Sequence, residues 1–199
     1  SARKNALRIV THASTKYDYL VIGGGIFGCY AALYLARKGG RVCLLEKERA
    51  MFKKASLVNQ ARLHGGYHYP RSVATALMSD DHKERFTAGH RPFIHFGFEK
   101  YYAIDKYGSF TDAAQFERFC HFVGIRCERA DGHPLFDPER LEALYLTTEY
   151  SFDPVLIGEH YKRQVQEQVG IEVRRSPLPV SAAQGPDAWE VALLHRETG

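Results

Sequence analysis

The chain has 199 residues, of which 45% are hydrophobic, 13% aromatic and 25% charged. These proportions are typical of a globular protein and exclude a disordered, collagenous or low-complexity chain. No apolar run approaches the roughly 18–20 residues that a membrane-spanning helix needs, so no membrane span is predicted. The formal net charge is +4. Because the lysines and arginines are scattered, a nucleic-acid partner has little support.

The cysteines and the two chain ends bear on compartment and completeness. The four cysteines lie in apolar stretches and form no C-x-x-C pair. This predicts a reduced compartment, the cytoplasm, and no metal site. The cysteines are Cys29, Cys43, Cys120 and Cys127.

Residues 1–16 are basic and polar without the apolar core of a secretory signal, and we expect them to form an N-terminal extension. The chain starts at Ser1 and stops at Gly199 directly after a strand-like run. We therefore expect it to be the N-terminal portion of a longer enzyme.

The first predicted elements form a βαβ unit. Residues 17–22 (YDYLVI) are apolar, aromatic and β-branched, which predicts a buried strand. Residues 26–38 carry one apolar helical face and stop at Gly39-Gly40. Residues 41–46 (RVCLLE) form a second apolar strand. The two strands are therefore expected to run parallel, with a right-handed crossover.

A G-x-G-x-x-G pattern joins the first strand to the helix. Gly23 permits the tight turn, Gly25 lets backbone approach a pyrophosphate, and Gly28 allows close packing of helix on strand. Glu46 ends the second strand, where a carboxylate can bind a ribose 2′-hydroxyl. The pattern predicts a dinucleotide site and disfavours NADP, but it leaves NAD and FAD both open.

The remaining elements are predicted from caps, breakers and periodicity. Residues 47–71 form a long polar and aromatic connection, of a length that is usually functional or mobile. Helices are predicted from Ser72 to about Phe86, from the capping box Asp112/Gln115 to Gly124, from Asp137-Pro138 onward, and from Asp153-Pro154 to Val169. Strands are predicted at 93–104 with a break at Gly97, at 171–175, at 180–183 and at 189–194, with Gly185-Pro186-Asp187 as the last turn.

Two segments carry a resemblance to a known family. Residues 17–48, YDYLVIGGGIFGCYAALYLARKGGRVCLLEKE, resemble the N-terminal signature of FAD-dependent oxidoreductases of the D-amino-acid oxidase (DAO) superfamily. Residues 56–72, SLVNQARLHGGYHYPRS, are similar to a segment of its L-2-hydroxyglutarate-dehydrogenase-like and glycine-oxidase-like members. KYYAID, EYSFDP and GIEVRR then follow the order of that family. The resemblance covers roughly residues 17–199 and is specific over 17–72.

The resemblance implies a fold and a cofactor site. The fold class is α/β, a Rossmann-like doubly wound FAD-binding domain formed by 17–88 and 152–199, with the start of a smaller α+β substrate domain at 89–151. FAD is the expected cofactor. The cofactor-binding residues expected from the glycine pattern and the resemblance together are Gly23, Gly25, Ile26, Phe27, Gly28, Glu46, Lys47, Asn59, Gln60, Arg62, Leu63 and His64.

The expected activity is oxidation of a C–N or C–O bond of a small amino or hydroxy acid by hydride transfer to flavin. A flavin performs the redox chemistry, while the protein supplies orientation and electrostatics. Oxidation of an alcohol also needs a proton acceptor, and a carboxylate substrate needs a cation. His64 is the candidate catalytic residue, with His68 as a weaker one, and Arg71 is able to bind a carboxylate through two hydrogen bonds.

Two other functions remain open, as does the oligomeric state. The chain is alternatively a nucleotide- or partner-binding fragment that performs no chemistry, or half of an NAD-dependent dehydrogenase or reductase. The loop at 56–72 argues against the NAD alternative. Retention of flavin without reduction by substrate would favour the fragment.

Overall fold

The structure is a computed structural model that describes residues 16–186 and 189–195. The chain divides into two compact units. The first contains the described residues up to Asn59 and those from Pro154 onward, and the second contains residues 60–153. The sequence placed the boundaries after 88 and after 151. The first boundary falls earlier because residues 62–63 pair with residues 150–151 of the second unit.

The described residues form four α-helices and eleven strands. The helices are α1 (Ile26–Arg37), α2 (Val73–His90), α3 (Ala113–Val123) and α4 (Pro154–Glu167). The strands are β1 (Tyr19–Ile22), β2 (Val42–Glu46), β3 (Arg62–Leu63), β4 (Ile94–His95), β5 (Lys100–Asp105), β6 (Glu128–Arg129), β7 (Leu141–Thr147), β8 (Tyr150–Phe152), β9 (Ile171–Arg175), β10 (Pro177–Gln184) and β11 (Trp189–His195). The described helices all fall short of the length and apolarity that crossing a lipid bilayer demands.

The first unit contains the predicted βαβ arrangement. β2 pairs in parallel with β1 on one edge and with β9 on the other, which confirms the predicted parallel strands. All five residues of β2 are buried, as expected for the middle strand of a parallel sheet. α1 packs against α4, whose buried residues Ile157, Tyr161 and Val165 form the predicted inward face. β10 and β11 form an antiparallel hairpin. Its predicted turn includes Asp187, which lies outside the described residues.

The second unit contains two small sheets and a helical core. β7 pairs antiparallel with β5 and β6, and β8 pairs antiparallel with β3 and β4. α3 begins with the predicted capping box, in which Asp112 accepts from the Gln115 N–H at 2.7 Å, and it ends at left-handed Gly124 with φ 73°. Phe116 of α3, Tyr145 of β7 and Tyr67 are each at most 1% exposed and form the centre of this core.

One predicted helix is wrong. The Asp137-Pro138 signal begins a turn, in which the Asp137 carboxylate accepts from the Glu139 N–H at 3.0 Å. β7 follows directly. An Asp-Pro pair favours a turn as readily as a helix start, so pairing of β7 with β5 and β6 decides between them. The predicted strand at 93–104 forms two strands, β4 and β5, separated at its glycine. α2 continues past Phe86 to His90, and α4 ends at Glu167, two residues before the predicted Val169.

Candidate functional site

The glycine turn packs α1 tightly onto the end of β1. Gly23 has φ 103°, a left-handed conformation that L side chains rarely adopt. A Cβ atom on Gly28 would lie 1.8 Å from the carbonyl oxygen of Gly23, so only glycine fits at this position. The sequence pattern predicted such a close approach of helix to strand at Gly28.

Glu46 holds the turn from the end of β2. Its side chain is 7% exposed and accepts hydrogen bonds from the N–H groups of Gly24 at 2.7 Å and of Glu48 at 2.8 Å. A Cβ atom on Gly24 would lie 2.9 Å from the same carboxylate and 2.8 Å from Met51 Cγ. The carboxylate is therefore fixed against the bare backbone of the turn.

The N-terminus of α1 meets Ser56. The Ile26 N–H donates to Ser56 Oγ at 3.0 Å, and a Cβ atom on Gly25 would lie 2.8 Å from that oxygen. The first turn of α1 contains no acidic residue, and Gly25 supplies no side-chain cap. A helix N-terminus of this kind attracts anions through its N–H groups and dipole. Bare backbone beside an acid-free helix end therefore fits the pyrophosphate of a dinucleotide.

The structure places the other predicted cofactor residues in both units. Phe27 is 87% exposed and Lys47 is also exposed. Asn59, in the first unit, donates from Nδ2 to the Ala55 carbonyl at 2.9 Å. Gln60 lies in the second unit and accepts from Arg62 at 3.4 Å. Ser56 was absent from the predicted set, although it opens the 56–72 segment. No local signal indicated Ser56, because it is 30 residues from Ile26 in the chain.

Glu149 organises the loop that follows β3 in the second unit. Its side chain is 4% exposed, and its carboxylate accepts from the Arg62 guanidinium at 2.8 Å and from the Gly65 N–H at 3.1 Å. His64 Nδ1 lies 3.8 Å from one carboxylate oxygen, and His68 Nε2 lies 3.9 Å from the other. Leu63 of β3, one of the predicted cofactor residues, is buried. Glu149 is not among the residues predicted from the sequence, because it is 84 residues from Gly65 in the chain.

The two imidazoles are close to each other and differ in surroundings. Their ring centroids are 5.1 Å apart in an edge-to-face arrangement, and the His68 ring is 5.5 Å from that of Tyr102. Burial lowers the pKa of His68, and the charges of Arg62 and His64 lower it further against the opposing effect of Glu149. A neutral imidazole at neutral pH is able to accept a proton.

The same residues offer ligands for a metal ion. Atoms of His64, His68 and Glu149 that are able to bind a metal all lie within 4.8 Å of one another. Arg62, however, already neutralises the Glu149 carboxylate at 2.8 Å. A guanidinium at that distance repels a second cation, which disfavours a metal ion at this position.

Part of the chain matches a known family model. Residues 18–105 match the family model described as FAD dependent oxidoreductase, the DAO family. The matched residues, fewer than half of the chain, are similar to that family. The match confirms the resemblance and the predicted cofactor, since the family is FAD-dependent.

A sequence relative agrees with that family. The FAD-dependent monooxygenase FPY4 of Fusarium mangiferae is 46% identical over 66 residues. This match covers 33% of the chain and 18% of the relative. The chain thus matches less than a fifth of the length of the Fusarium mangiferae monooxygenase.

Two solved structures share the fold of this chain. Glycine oxidase from Geobacillus kaustophilus has a TM-score of 0.71 at 13% identity and covers 88% of the chain and 50% of the oxidase. FAD-bound L-α-glycerophosphate oxidase from Mycoplasma pneumoniae has a TM-score of 0.67 at 16% identity and covers 89% of the chain and 50% of that enzyme. The predicted fold class, an α/β fold of the FAD-binding kind, is confirmed. The chain spans about half the length of these structures.

Proposed function

We propose that this chain binds FAD at the glycine turn and belongs to an oxidoreductase that oxidises a C–N or C–O bond of a small amino or hydroxy acid. The observation that carries the proposal is the turn itself. Bare backbone at Gly24 and Gly25, the fixed Glu46 carboxylate and the acid-free N-terminus of α1 form one surface. Such a surface suits a pyrophosphate and a ribose hydroxyl.

The second unit supplies the groups that the reaction needs from the protein. FAD, when bound, supplies the acceptor for a hydride. His64 is the proposed proton acceptor, since its exposed ring is held beside Glu149. Gln60, Arg62 and Leu63 precede His64 in the same loop and are proposed to lie along the cofactor. The cytoplasm is the proposed compartment, because the described cysteines are all free thiols.

The first test is binding of FAD to the purified chain, with Glu46→Gln and Glu48→Gln as a matched pair. Visible absorbance before and after acid or heat treatment identifies bound, releasable FAD, and thermal shift compares added FAD with added NAD⁺. We expect Glu46→Gln to weaken FAD binding about tenfold or more, because a charged acceptor is lost. Glu48→Gln is expected to leave binding unchanged, since that carboxylate pairs with exposed Lys54 at 3.2 Å.

Melting temperatures without cofactor separate a binding defect from a folding defect in both variants. Equal FAD affinity of the two variants would contradict the proposed role of Glu46. Binding of NAD⁺ together with refusal of FAD would overturn the proposed function and favour the dehydrogenase alternative. FAD that binds but is not reduced by any amino or hydroxy acid would leave a nucleotide-binding fragment.

Monooxygenation is a second candidate, favoured by the 46% identity to a FAD-dependent monooxygenase. The two reactions leave different products. An oxidase or dehydrogenase inserts no oxygen from O₂ into its product, whereas a monooxygenase inserts one atom. Incorporation of ¹⁸O from ¹⁸O₂ by the enzyme that contains this chain distinguishes them.

A further inference from the structure

Two of the four cysteines lie side by side in the second unit. Cys120 belongs to α3 and is 0% exposed, and Cys127 lies directly before β6 and is half-buried. Cys120 is part of the apolar core of this unit, and Cys127 packs against that core. Their thiol groups hydrogen-bond to each other, and both are free thiols. The two sulfur atoms therefore face one another inside one compact body.

The end of α3 creates this contact. Gly124 has a left-handed conformation, and its N–H donates to the His121 carbonyl at 3.3 Å. The Ile125 N–H donates to the Cys120 carbonyl at 3.0 Å. These two hydrogen bonds form a Schellman motif, which turns the chain back at the end of a helix. The turn brings Cys127 back to Cys120.

Cys127 is also fixed through its two neighbours in the chain. The Tyr67 hydroxyl donates to the Arg126 carbonyl at 2.6 Å, and Tyr67 is only 1% exposed. On the other side, Glu128 begins β6, which pairs with β7. The backbone around Cys127 is thus attached to the core on both sides, and this attachment keeps the two thiols in contact.

The two thiols differ in access to solvent. Cys120 has no exposed surface, whereas Cys127 is partly exposed. Burial raises the pKa of Cys127, while the hydrogen bond from Cys120 and the charge of Arg129 act to lower it. A small oxidant from solvent therefore reaches Cys127 first, and Cys120 lies behind it in position to react with the product.

We infer that Cys120 and Cys127 are a site of reversible oxidation, at which a hydroperoxide joins them in a disulfide. The Cys127 sulfur attacks hydrogen peroxide, so that an S–O bond forms, the O–O bond breaks and the first water leaves. The Cys120 sulfur then attacks the sulfenic acid, so that the S–S bond forms, the S–O bond breaks and a second water leaves. The two thiols lose two electrons and two protons, and the peroxide is reduced to water. The inference goes beyond the proposed function, because the reaction needs neither FAD nor substrate.

The first test is treatment of the purified chain with hydrogen peroxide, followed by trypsin digestion without a reductant. Trypsin cleaves after arginine, and Arg126 lies between the two cysteines. Residues 119–126 and 127–129 are therefore separate peptides unless a disulfide joins them. We expect mass spectrometry to find them joined, at the sum of their masses less two hydrogen atoms, and dithiothreitol to separate them. A thiol assay should show that two of the four thiols are lost.

Alanine variants separate the roles of the two thiols. Cys120→Ala should leave a sulfenic acid on Cys127 that dimedone traps, because the second thiol is gone. Cys127→Ala should leave Cys120 unoxidised, because Cys120 is hidden from solvent. Cys43→Ala is the matched control, since Cys43 is 2% exposed but lies in the first unit, and it should leave the disulfide intact.

The melting temperature gives a second measurement on the chain without substitutions. The disulfide closes a loop of eight residues, 120–127, which restricts the unfolded chain. We expect the oxidised chain to melt about 5 °C or more above the reduced chain. An equal or lower melting temperature would mean that the bond strains the turn, and it would contradict the inference.

The products of oxidation decide the matter. Four thiols that survive peroxide, or a sulfinic acid on Cys127 without joined peptides, would overturn the inference. A disulfide that includes Cys29 or Cys43, or one that joins two chains, would overturn it as well.

Discussion

Glu149 shows how one buried carboxylate orders a whole loop. It is 4% exposed and accepts from both Arg62 and Gly65 while facing His64 and His68. Burying a carboxylate is costly unless charged partners and N–H groups compensate. Loss of the charge therefore leaves the Arg62 guanidinium without its partner.

We predict that Glu149→Gln lowers the free energy of unfolding by about 1–3 kcal/mol, because a charge-assisted hydrogen bond is lost in a buried place. Urea denaturation measures the effect. Glu128→Gln is the matched control, since Glu128 pairs with Arg126 and both side chains are 57% exposed. Exposed ion pairs contribute about 0–1 kcal/mol, so this control should change little. Equal effects in both variants would mean that Glu149 does not hold the loop.

At the scale of single residues, a position is predictable from sequence where its determinants are close together in the chain. Glu46 ends a strand that follows a glycine turn, so its place at the turn was predictable from spacing alone. The position of Glu149 was not predictable, because no residue near it in the sequence indicates Arg62 or Gly65 as its partners. Likewise, Thr111 and Arg71 reach one cavity only through the packing of the second unit.

Among the helices, two glycines provide opposite tests of packing. Gly28 lies in α1, where a Cβ atom would meet the Gly23 carbonyl oxygen at 1.8 Å. Gly89 lies in α2, where a Cβ atom would meet nothing within 4 Å. The same substitution therefore meets backbone in one helix and open space in the other.

We predict that Gly28→Ala lowers the free energy of unfolding by about 1–3 kcal/mol or more, since the helix must move off the strand. Gly89→Ala should raise it by up to about 1 kcal/mol, because alanine favours the helix more than glycine does. Thermal and urea unfolding of both variants check the signs. A stable Gly28→Ala protein would contradict the close contact of α1 with the turn.

Element-scale prediction depended on how specific each local signal is. The capping box at Asp112/Gln115 satisfies two backbone groups in only one way, so it located α3. The Asp137-Pro138 pair suits both a turn and a helix start, and the pairing of β7 decided the matter. The strands of the β10–β11 hairpin, by contrast, were predicted from two apolar runs and the turn between them.

For the whole molecule, buried thiols and phenols couple folding to alkaline pH. Burial raises the pKa of Cys29 to about 12 and that of Tyr161 to about 12, and it also raises the pKa of Cys120 and of Tyr145. These groups keep their protons in the folded chain and lose them near their ordinary pKa of 9 or 10 once unfolded. The folded state then binds more protons, so stability falls as pH rises.

We predict that these groups leave the free energy of unfolding unchanged below a pH of about 9 and lower it as the pH rises further. The slope is about 1.4 kcal/mol per pH unit for each group that ionises only on unfolding. Urea denaturation between pH 7 and pH 10.5 measures it. Cys29→Ala should make the decline of the free energy of unfolding with pH less steep by the contribution of one thiol. An unchanged slope in this variant would contradict the raised pKa of Cys29.

The βαβ unit, the glycine turn and the α3 capping box were predictable from the amino-acid sequence alone. These features depend on residues close together in the chain, whose caps, periodicity and φ requirements act locally. Only the tertiary structure decided which units the chain forms, that Glu149 reaches the loop after β3, and that Arg71 and Thr111 line one cavity. The contacts of Glu149 with Gly65 and Arg62 join residues 84 and 87 positions apart. They arise because folding buries apolar surface and must pair every polar group it takes from water.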